Sequence, residues 1–328
     1  MSVIKVDNLV KSFGPITAVD GISFEVDEGT IFGFLGPNGA GKTTTINILC
    51  TLLMPTSGNA SINGHDCVRE SAEVRESIGI VFQDSTLDKD LTAYENLAFH
   101  AYLYNVSKNE IKSRVEYSLN FAGLYERRND LVKRFSGGMK RRLEVSRGLI
   151  HRPKVLFLDE PTLGLDPQSR ANLWDFIVEL PVKHNVTIFM TTHYMEEAEV
   201  CDRIAIIDNG KIITMGTPEE LKKTVGGDVI YIRTTDNKKA REEIEKLFDV
   251  MVSEKDKELF LTTLKGDACI PEIIRAMGEM VLSVRLQRPT LNDVFLKMTG
   301  KEIRGEDASS SDTIKEVVRS YRRRFDRG

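Results

Sequence analysis

Hydrophobic and polar positions follow several periods along this chain of 328 residues. Alternation at 3–6 and 22–26, with Gly14 and Pro15 as a turn between them, predicts an antiparallel β layer. Other segments are mainly apolar and β-branched, which is typical of strands buried on both faces of a parallel sheet. Three such segments occur, at 29–35, 155–158 and 186–192. The pattern therefore predicts an α/β core that carries an additional β layer.

The spacing of apolar residues changes after the first part of this core. Residues 57–83 predict a hairpin, a short helix and a strand that ends near Gln83. Between 92 and 133 apolar residues recur every three or four positions, which predicts helices. We interpret residues 84–150, approximately, as a helical insert in a first domain that spans 1–224.

Residues 36–44 fit the phosphate-binding loop pattern, in which Gly, four residues and Gly-Lys-Thr follow one another. The strand at 29–35 precedes the loop, and a helix predicted over 43–53 follows it. Backbone N–H groups and the helix N-terminus would bind phosphate, Lys42 would reach the β- and γ-phosphates, and the Thr43 hydroxyl would ligate Mg²⁺. The predicted ATP-binding residues are Gly36, Pro37, Asn38, Gly39, Ala40, Gly41, Lys42, Thr43 and Thr44. The loop predicts a bound nucleoside triphosphate.

Two further strands of the core end in polar side chains. The apolar run 155–158 leads directly into Asp159 and Glu160, at the strand end that faces the ligand crevice of a parallel sheet. Buried carboxylates are costly unless a cation or a reaction uses them. Asp159 suits Mg²⁺, and Glu160 is placed to orient and deprotonate an attacking water. His193 follows the strand at 186–192, where we predict a phosphate contact.

Two other features admit two interpretations each. Ser136 is a natural N-cap for a helix through residue 149, so Ser136, Gly137 and Gly138 either present free helix N-terminal donors or form a plain cap before a basic helix. Phe13 precedes the turn at Gly14, where an aromatic ring either stacks on a purine or closes a strand-end core.

The last third of the chain carries no catalytic cluster. Its strands and helices are predicted in the order βαββαβ, which indicates a ferredoxin-like α+β accessory domain at 225–303. We interpret it as a packing or dimer-bracing module in preference to a ligand sensor. Residues 304–328 predict a flexible linker and a basic amphipathic helix, which docks on anionic lipid or a partner, or packs on its own domain.

Composition narrows the functional classes. The chain is 41% hydrophobic and 29% charged, with a net charge of −4, so no nucleic-acid partner is expected. Its four cysteines lack metal-ligand spacing and suit a reducing compartment. We find no basic-then-apolar leader and no apolar run long enough to cross a bilayer. These features predict a soluble cytoplasmic chain.

The motifs, taken in order over residues 1 to about 220, resemble those of the ATP-binding subunit of an ABC transporter, which is a P-loop NTPase cassette. The resemblance implies that Phe13 stacks on adenine and that Mg²⁺ is held by Thr43 and Gln83, with Asp159 acting mainly through water. It implies that Ser136, Gly137 and Gly138, the signature, cap the γ-phosphate bound by the opposite subunit. The catalytic residues it implies are Glu160, His193 and Lys42.

One position departs from the commonest signature of the family. Met139 stands where that signature has Gln, and Met cannot donate a hydrogen bond. The sequence is therefore most similar to the drug- and polysaccharide-exporter branch, the daunorubicin-resistance type. The segment that begins at Pro289 resembles the end of subunits from that branch.

The resemblance implies an ATPase that forms a homodimer and drives a separate transmembrane permease by ATP-dependent dimerisation. Such a subunit is peripheral on the inner face of the cell membrane, and residues 92–97 of its insert receive the permease. The alternative is a soluble ABC ATPase that acts on ribosomes or DNA, a class that typically has two cassettes or long coiled-coil insertions. A third interpretation, a regulator that binds ATP without hydrolysing it, is disfavoured by Glu160 and His193.

Overall fold

The computed structural model describes residues 1–248, 250–255, 258–263 and 265–299. They form two compact units, the first over Met1–Thr217 and the second beginning at Pro218. The sequence predicts this division after residue 224. The helix that follows Thr217 explains the difference, because it packs against the last helix of the second unit. The predicted linker and amphipathic helix at 304–328 lie outside the described residues.

The first unit contains two β-sheets. Its strands are β1 (Ser2–Phe13), β2 (Ile16–Asp27), β3 (Ile31–Leu35), β4 (Ser57–Ile62), β5 (His65–Asp66), β6 (Ile78–Val81), β7 (Val155–Asp159), β8 (Thr187–Thr192), β9 (Arg203–Asp208) and β10 (Lys211–Gly216). The antiparallel sheet has the order β2-β1-β4-β5, and the larger sheet has the order β10-β9-β3-β8-β7-β6. All pairs in the larger sheet are parallel except β9 with β10. The predicted α/β core with an added antiparallel layer is confirmed.

Helices connect these strands. They are α1 (Lys42–Leu49), α2 (Ser71–Ser77), α3 (Ala93–Leu103), α4 (Lys108–Phe121), α5 (Gly137–Leu149), α6 (Pro167–Val178), α7 (Leu180–His184) and α8 (Met195–Ala198). The prediction that α1 extends to residue 53 is wrong, because Thr51 adopts a φ of +62° and ends the helical path. In the part of the chain that the structure describes, none of the helices is both long and apolar enough to cross a membrane.

Phenylalanine rings pack the two sheets of the first unit together. Phe24 of β2 lies 5.6 Å from Phe32 of β3, measured between ring centroids, and Phe32 lies 5.5 Å from Phe189 of β8. Phe34 and Phe157 complete this cluster. Because β3, β7 and β8 are adjacent and parallel, their carboxyl ends meet at one edge of the sheet. That edge positions the functional residues.

The second unit has a sheet of its own. Its elements are α9 (Pro218–Val225), β11 (Asp228–Thr234), α10 (Asn237–Phe248), β12 (Ser253–Lys255), β13 (Glu258–Thr263), α11 (Gly266–Met277), β14 (Val281–Gln287) and α12 (Leu291–Thr299). From β11 to β14 they follow the predicted βαββαβ order, in an antiparallel sheet ordered β12-β13-β11-β14. The strand predicted at 250–252 is wrong by three residues, because the pairing with β13 that defines β12 begins only at Ser253. The ferredoxin-like classification stays a prediction.

Candidate nucleotide-binding and catalytic site

The phosphate loop connects β3 to α1, as predicted, and its glycines are required by close backbone contacts. A Cβ on Gly36 would lie 2.3 Å from the Ile207 carbonyl oxygen, and one on Gly41 would lie 2.4 Å from that of Ala18. Gly41 also has a φ of +105°, which L side chains rarely adopt. Only glycine fits at these two positions, because the loop curls tightly ahead of the helix.

A cavity of about 840 Å³ opens above this loop. Residues from the loop, from the segment after β6 and from the ends of β7 and β8 line it together. The lining residues are Ala18, Asn38, Gly39, Gly41, Lys42, Thr43, Thr44, Gln83, Glu160, Leu163, His193 and Tyr194. Residues far apart in sequence, such as Lys42, Gln83, Glu160 and His193, are thereby brought to one cavity.

Lys42 and Glu160 form a buried ion pair at the base of the cavity. The Lys42 ammonium lies 3.1 Å from Glu160 Oε1 and also donates to the Gly36 carbonyl at 2.8 Å and the Pro37 carbonyl at 3.2 Å. His193 Nδ1 lies 3.2 Å from the other carboxylate oxygen, Glu160 Oε2. Burial acts to raise the pKa of Glu160, but His193 and Lys42 outweigh it and hold that pKa below its usual value. Glu160 is therefore ionised at neutral pH.

Asp159 is tied to the phosphate loop and to the neighbouring strand. The Thr191 hydroxyl of β8 donates to Asp159 Oδ1 at 2.5 Å, and the Thr43 hydroxyl reaches the same oxygen at 3.4 Å. The backbone N–H of Glu160 donates to the Thr191 hydroxyl at 3.0 Å. Thr191, which the sequence analysis missed, thus orients both acidic residues. Its only sequence signal is its place at the end of an apolar strand.

Both units of the chain match known protein families. A family model described as ABC transporter matches residues 19–163, and a model of the C-terminal domain of DrrA1-3-like ATP-binding proteins matches residues 216–299. The linearmycin resistance ATP-binding protein LnrL of Bacillus subtilis (strain 168) is 38% identical over 310 residues, which cover 92% of this chain and 99% of that protein. The chain belongs to the ABC transporter family of ATP-binding proteins.

Two further comparisons extend this ABC assignment. The daunorubicin resistance ATP-binding protein DrrA3 of Streptomyces coeruleorubidus is 39% identical over 312 residues, which cover 93% of this chain and 98% of that protein. A solved structure described as the dimeric post-hydrolysis state of the ATP-binding cassette MJ0796 bound to ADP and Pi superimposes with a TM-score of 0.59 at 27% identity, covering 65% of this chain and 98% of that one. The predicted family and its daunorubicin-resistance branch are confirmed, and the chain is an ATP-hydrolysing ABC subunit.

The residues predicted to form the ABC signature lie elsewhere on the first unit. Ser136 caps α5 as predicted, since its hydroxyl accepts from the backbone N–H of Met139 at 3.3 Å. Ser136 and Gly137 are exposed, whereas Gly138 is buried against Ser169, where a Cβ would lie 2.9 Å from the serine side chain. The signature residues do not line the cavity of this subunit. Their predicted contact with a nucleotide on the opposite subunit stays a prediction.

Phe13 is also absent from the residues that line the cavity. The ring is 49% exposed at the end of β1, and the Lys11 ammonium lies 5.0 Å from its centroid. Of the two interpretations given for Phe13, burial in a strand-end core is wrong. Gly36, Pro37 and Ala40 of the phosphate loop do not line the cavity either.

A second buried acid, Glu197 of α8, lies beside the site and was missed by the sequence analysis. It accepts bonds from the hydroxyls of Thr162 and of Thr192, the latter at 2.6 Å. Burial raises the pKa of Glu197, although these two bonds and the Arg170 charge oppose the rise. Thr162 follows Glu160 and Thr192 precedes His193, so Glu197 joins the two segments that carry those side chains. Glu197 stands in a short acidic segment, 196–199, that resembles a solvent-exposed stretch, so the sequence gave no signal of this role.

Proposed function

We propose that this ABC ATPase powers an exporter, by hydrolysing ATP and driving a separate membrane permease. The observation that carries the hydrolytic part is the buried contact of Glu160 with both Lys42 and His193 at the cavity base. Export is supported by the relatives, which are named for resistance to linearmycin and to daunorubicin. The transported compound would be selected by the permease.

In the proposed reaction Glu160 is the general base. Its carboxylate is ionised and held within reach of the phosphate loop, as a base that takes a proton from water must be. Phosphate oxygens that enter the loop would replace the carbonyls and Glu160 as acceptors for the Lys42 ammonium. Glu160 would then be free to act on the attacking water. His193, 3.2 Å from Glu160, would contact the γ-phosphate.

The same cavity offers oxygen ligands of the kind that Mg²⁺ prefers. The Thr43 hydroxyl and the Gln83 side chain line the cavity, and Asp159 Oδ1 lies 3.4 Å from the Thr43 hydroxyl. We assign these three residues as the Mg²⁺ site, Asp159 acting through a water. A magnesium ion there would neutralise charge that develops on the β- and γ-phosphates.

The complete site is proposed to form between two copies of the chain. The phosphate loop and the signature each end in a helix N-terminus, α1 and α5, and helix N-termini attract phosphate. The exposed Ser136 and Gly137 are absent from the cavity of their own subunit. In a head-to-tail homodimer they would cap the γ-phosphate of the partner's ATP. Phe13 would stack on the adenine: its exposed ring lies at the end of the β1–β2 hairpin, whose residue Ala18 contacts Gly41 of the loop.

The permease is expected to dock on the helical insert. Phe99, Tyr102 and Leu103 of α3 are apolar or aromatic side chains with more than half of their surface exposed. Exposed apolar patches of this kind commonly mark protein contacts. The subunit would thereby be held at the inner face of the membrane, with residues 92–97 at the start of α3 near the contact.

A pull-down from membranes tests this proposal. The tagged chain, purified from detergent-solubilised membranes of its own host, should retain an integral membrane protein. Leu103→Asp should lose that protein, because a buried unpaired charge costs several kcal/mol. Val182→Asp, at an exposed position on α7 outside the insert, is the matched control and should retain it. Recovery of ribosomes or DNA in place of a membrane protein would instead support the alternative function.

A further inference from the structure

Arg141 lies in the second turn of α5, next to the site, with only 6% of its surface exposed. An arginine side chain carries five N–H donors, and here five acceptors surround them. Nε donates to the Pro161 carbonyl at 2.5 Å, Nη1 to the Phe82 carbonyl at 2.6 Å and to Glu144 Oε2 at 3.0 Å, and Nη2 to the carbonyls of Asp159 at 3.2 Å and Glu160 at 3.1 Å. Every donor of the guanidinium is therefore satisfied.

Four of these acceptors belong to the backbone of the site. Phe82 immediately precedes Gln83, and the other three carbonyls are successive residues at the end of β7. Glu160 has a φ of +45°, in the left-handed region that costs a non-glycine residue about 1–2 kcal/mol. The bonds from one guanidinium compensate for that strain, since they hold the turned peptides in place.

Removal of these bonds would affect the chemistry in a specific way. Without Arg141 the backbone at Glu160 is free to leave its left-handed conformation, which would move the carboxylate away from Lys42 and His193. The phosphate loop itself makes no bond to Arg141, so nucleotide binding should persist. A displacement of about 1 Å in a catalytic group costs on the order of 10²-fold in rate.

We propose that Arg141 is a positioning residue for ATP hydrolysis, which fixes Gln83 and the carboxylates of Asp159 and Glu160 against α5. The inference rests on the proposed role of Glu160 as general base. It also gives the buried pair of Arg141 with Glu144 a function beyond stability, for which buried ion pairs alone are weak evidence. The pair holds the guanidinium in the orientation that its carbonyl acceptors require.

The test compares Arg141→Gln with Arg142→Gln, its neighbour on α5. Arg142 donates to the Ala122 carbonyl at 2.8 Å, at the end of α4, and so provides a matched loss of an arginine bond. For Arg141→Gln we expect kcat to fall on the order of 10²-fold while KM and the Kd for ATP stay within about threefold. Arg142→Gln should keep kcat within about threefold of the parent. Arg141→Lys, with the charge but only three donors, should fall between the two.

Glu160→Gln is measured alongside, because it tests the proposed general base separately from the role of Arg141. If Glu160→Gln keeps its turnover, the proposed general base is wrong. If Glu160→Gln is inactive but Arg141→Gln keeps kcat within about threefold of the parent, only the positioning role is overturned. A parallel loss of kcat, ATP affinity and melting temperature would show a structural role and would also overturn it. Should Arg141→Gln not fold, the double variant with Glu144→Gln removes both buried charges, and normal turnover in that variant would contradict the proposal.

Discussion

The two units of the chain differ in what they bury. The core of the first contains charged side chains at and around the nucleotide cavity, whereas in the second, over its described residues, the buried side chains are apolar. Burying a charge costs several kcal/mol, which close partners must offset. The buried charged residues of the first unit are Lys42, Arg141, Glu144, Asp159, Glu160, Arg170 and Glu197. The contrast supports the proposed chemistry in the first unit and a packing role for the core of the second.

The largest effect that this contrast predicts is on hydrolysis. Glu160→Gln keeps the size of the side chain and its contacts with Lys42 and His193, but it removes the proton acceptor. We expect ATP turnover to fall about 10²–10⁴-fold, while ATP and Mg²⁺ binding persist and the ATP-bound dimer accumulates. Turnover is measured by phosphate release and the dimer by gel filtration with ATP.

The matched control is Glu110→Gln, a change of the same type at a half-exposed salt bridge on α4. It should leave turnover unchanged, because exposed ion pairs contribute little. If Glu160→Gln hydrolysed ATP as fast as this control, the buried carboxylate would not be the base.

For the second unit we predict an effect on stability and none on turnover. Ile273 of α11 is fully buried in its apolar core, so Ile273→Ala should destabilise that unit by about 2–5 kcal/mol. The ATP turnover of each folded molecule should remain that of the parent. Differential scanning calorimetry and an activity assay below the transition measure the two quantities.

Ile274, the next residue on α11, is 47% exposed and supplies the control. Ile274→Ala should change the free energy of unfolding by about 0.5 kcal/mol or less, as surface substitutions usually do. A loss of turnover in folded Ile273→Ala would contradict this contrast between the two units, since it would give the second unit a part in the reaction.

Much of this organisation could be predicted from local sequence. The apolar runs specified the strands of the parallel sheet, and the glycine-rich loop specified a strand-loop-helix unit because few backbones accept that spacing. Ser136 specified the start of α5 through its capping bond, which the structure confirms. Such features depend on neighbours within a few residues.

The residues that were missed depend on contacts across the fold. Arg141 stands in a basic run, Lys140 to Arg142, that resembles a solvated helix face, and its acceptors at Phe82 and Pro161 are remote in sequence. The error at β12 has a similar cause. Val252 fits a strand by composition, but the hairpin register with β13 begins only at Ser253. In both cases, the contacts of Arg141 and the start of β12, segments remote in sequence determine the structure and local propensity does not.

Mixing two inactive variants shows whether each active site is shared by two copies of the chain. Lys42→Ala removes the phosphate-loop half of a site. Gly137→Asp blocks the signature half by bulk and by like charge, at an exposed position where the added Cβ meets only the end of the Leu165 side chain, at 3.2 Å. Each homodimer should be inactive.

In a mixed dimer one site carries both lesions and the other carries neither. If the site is shared, we expect mixing of the two proteins to restore ATP hydrolysis, or at least ATP occlusion if turnover requires both sites. Differential tags would show that mixed dimers form. If they form and neither hydrolysis nor occlusion returns, each subunit builds its site alone and the proposed shared site is wrong.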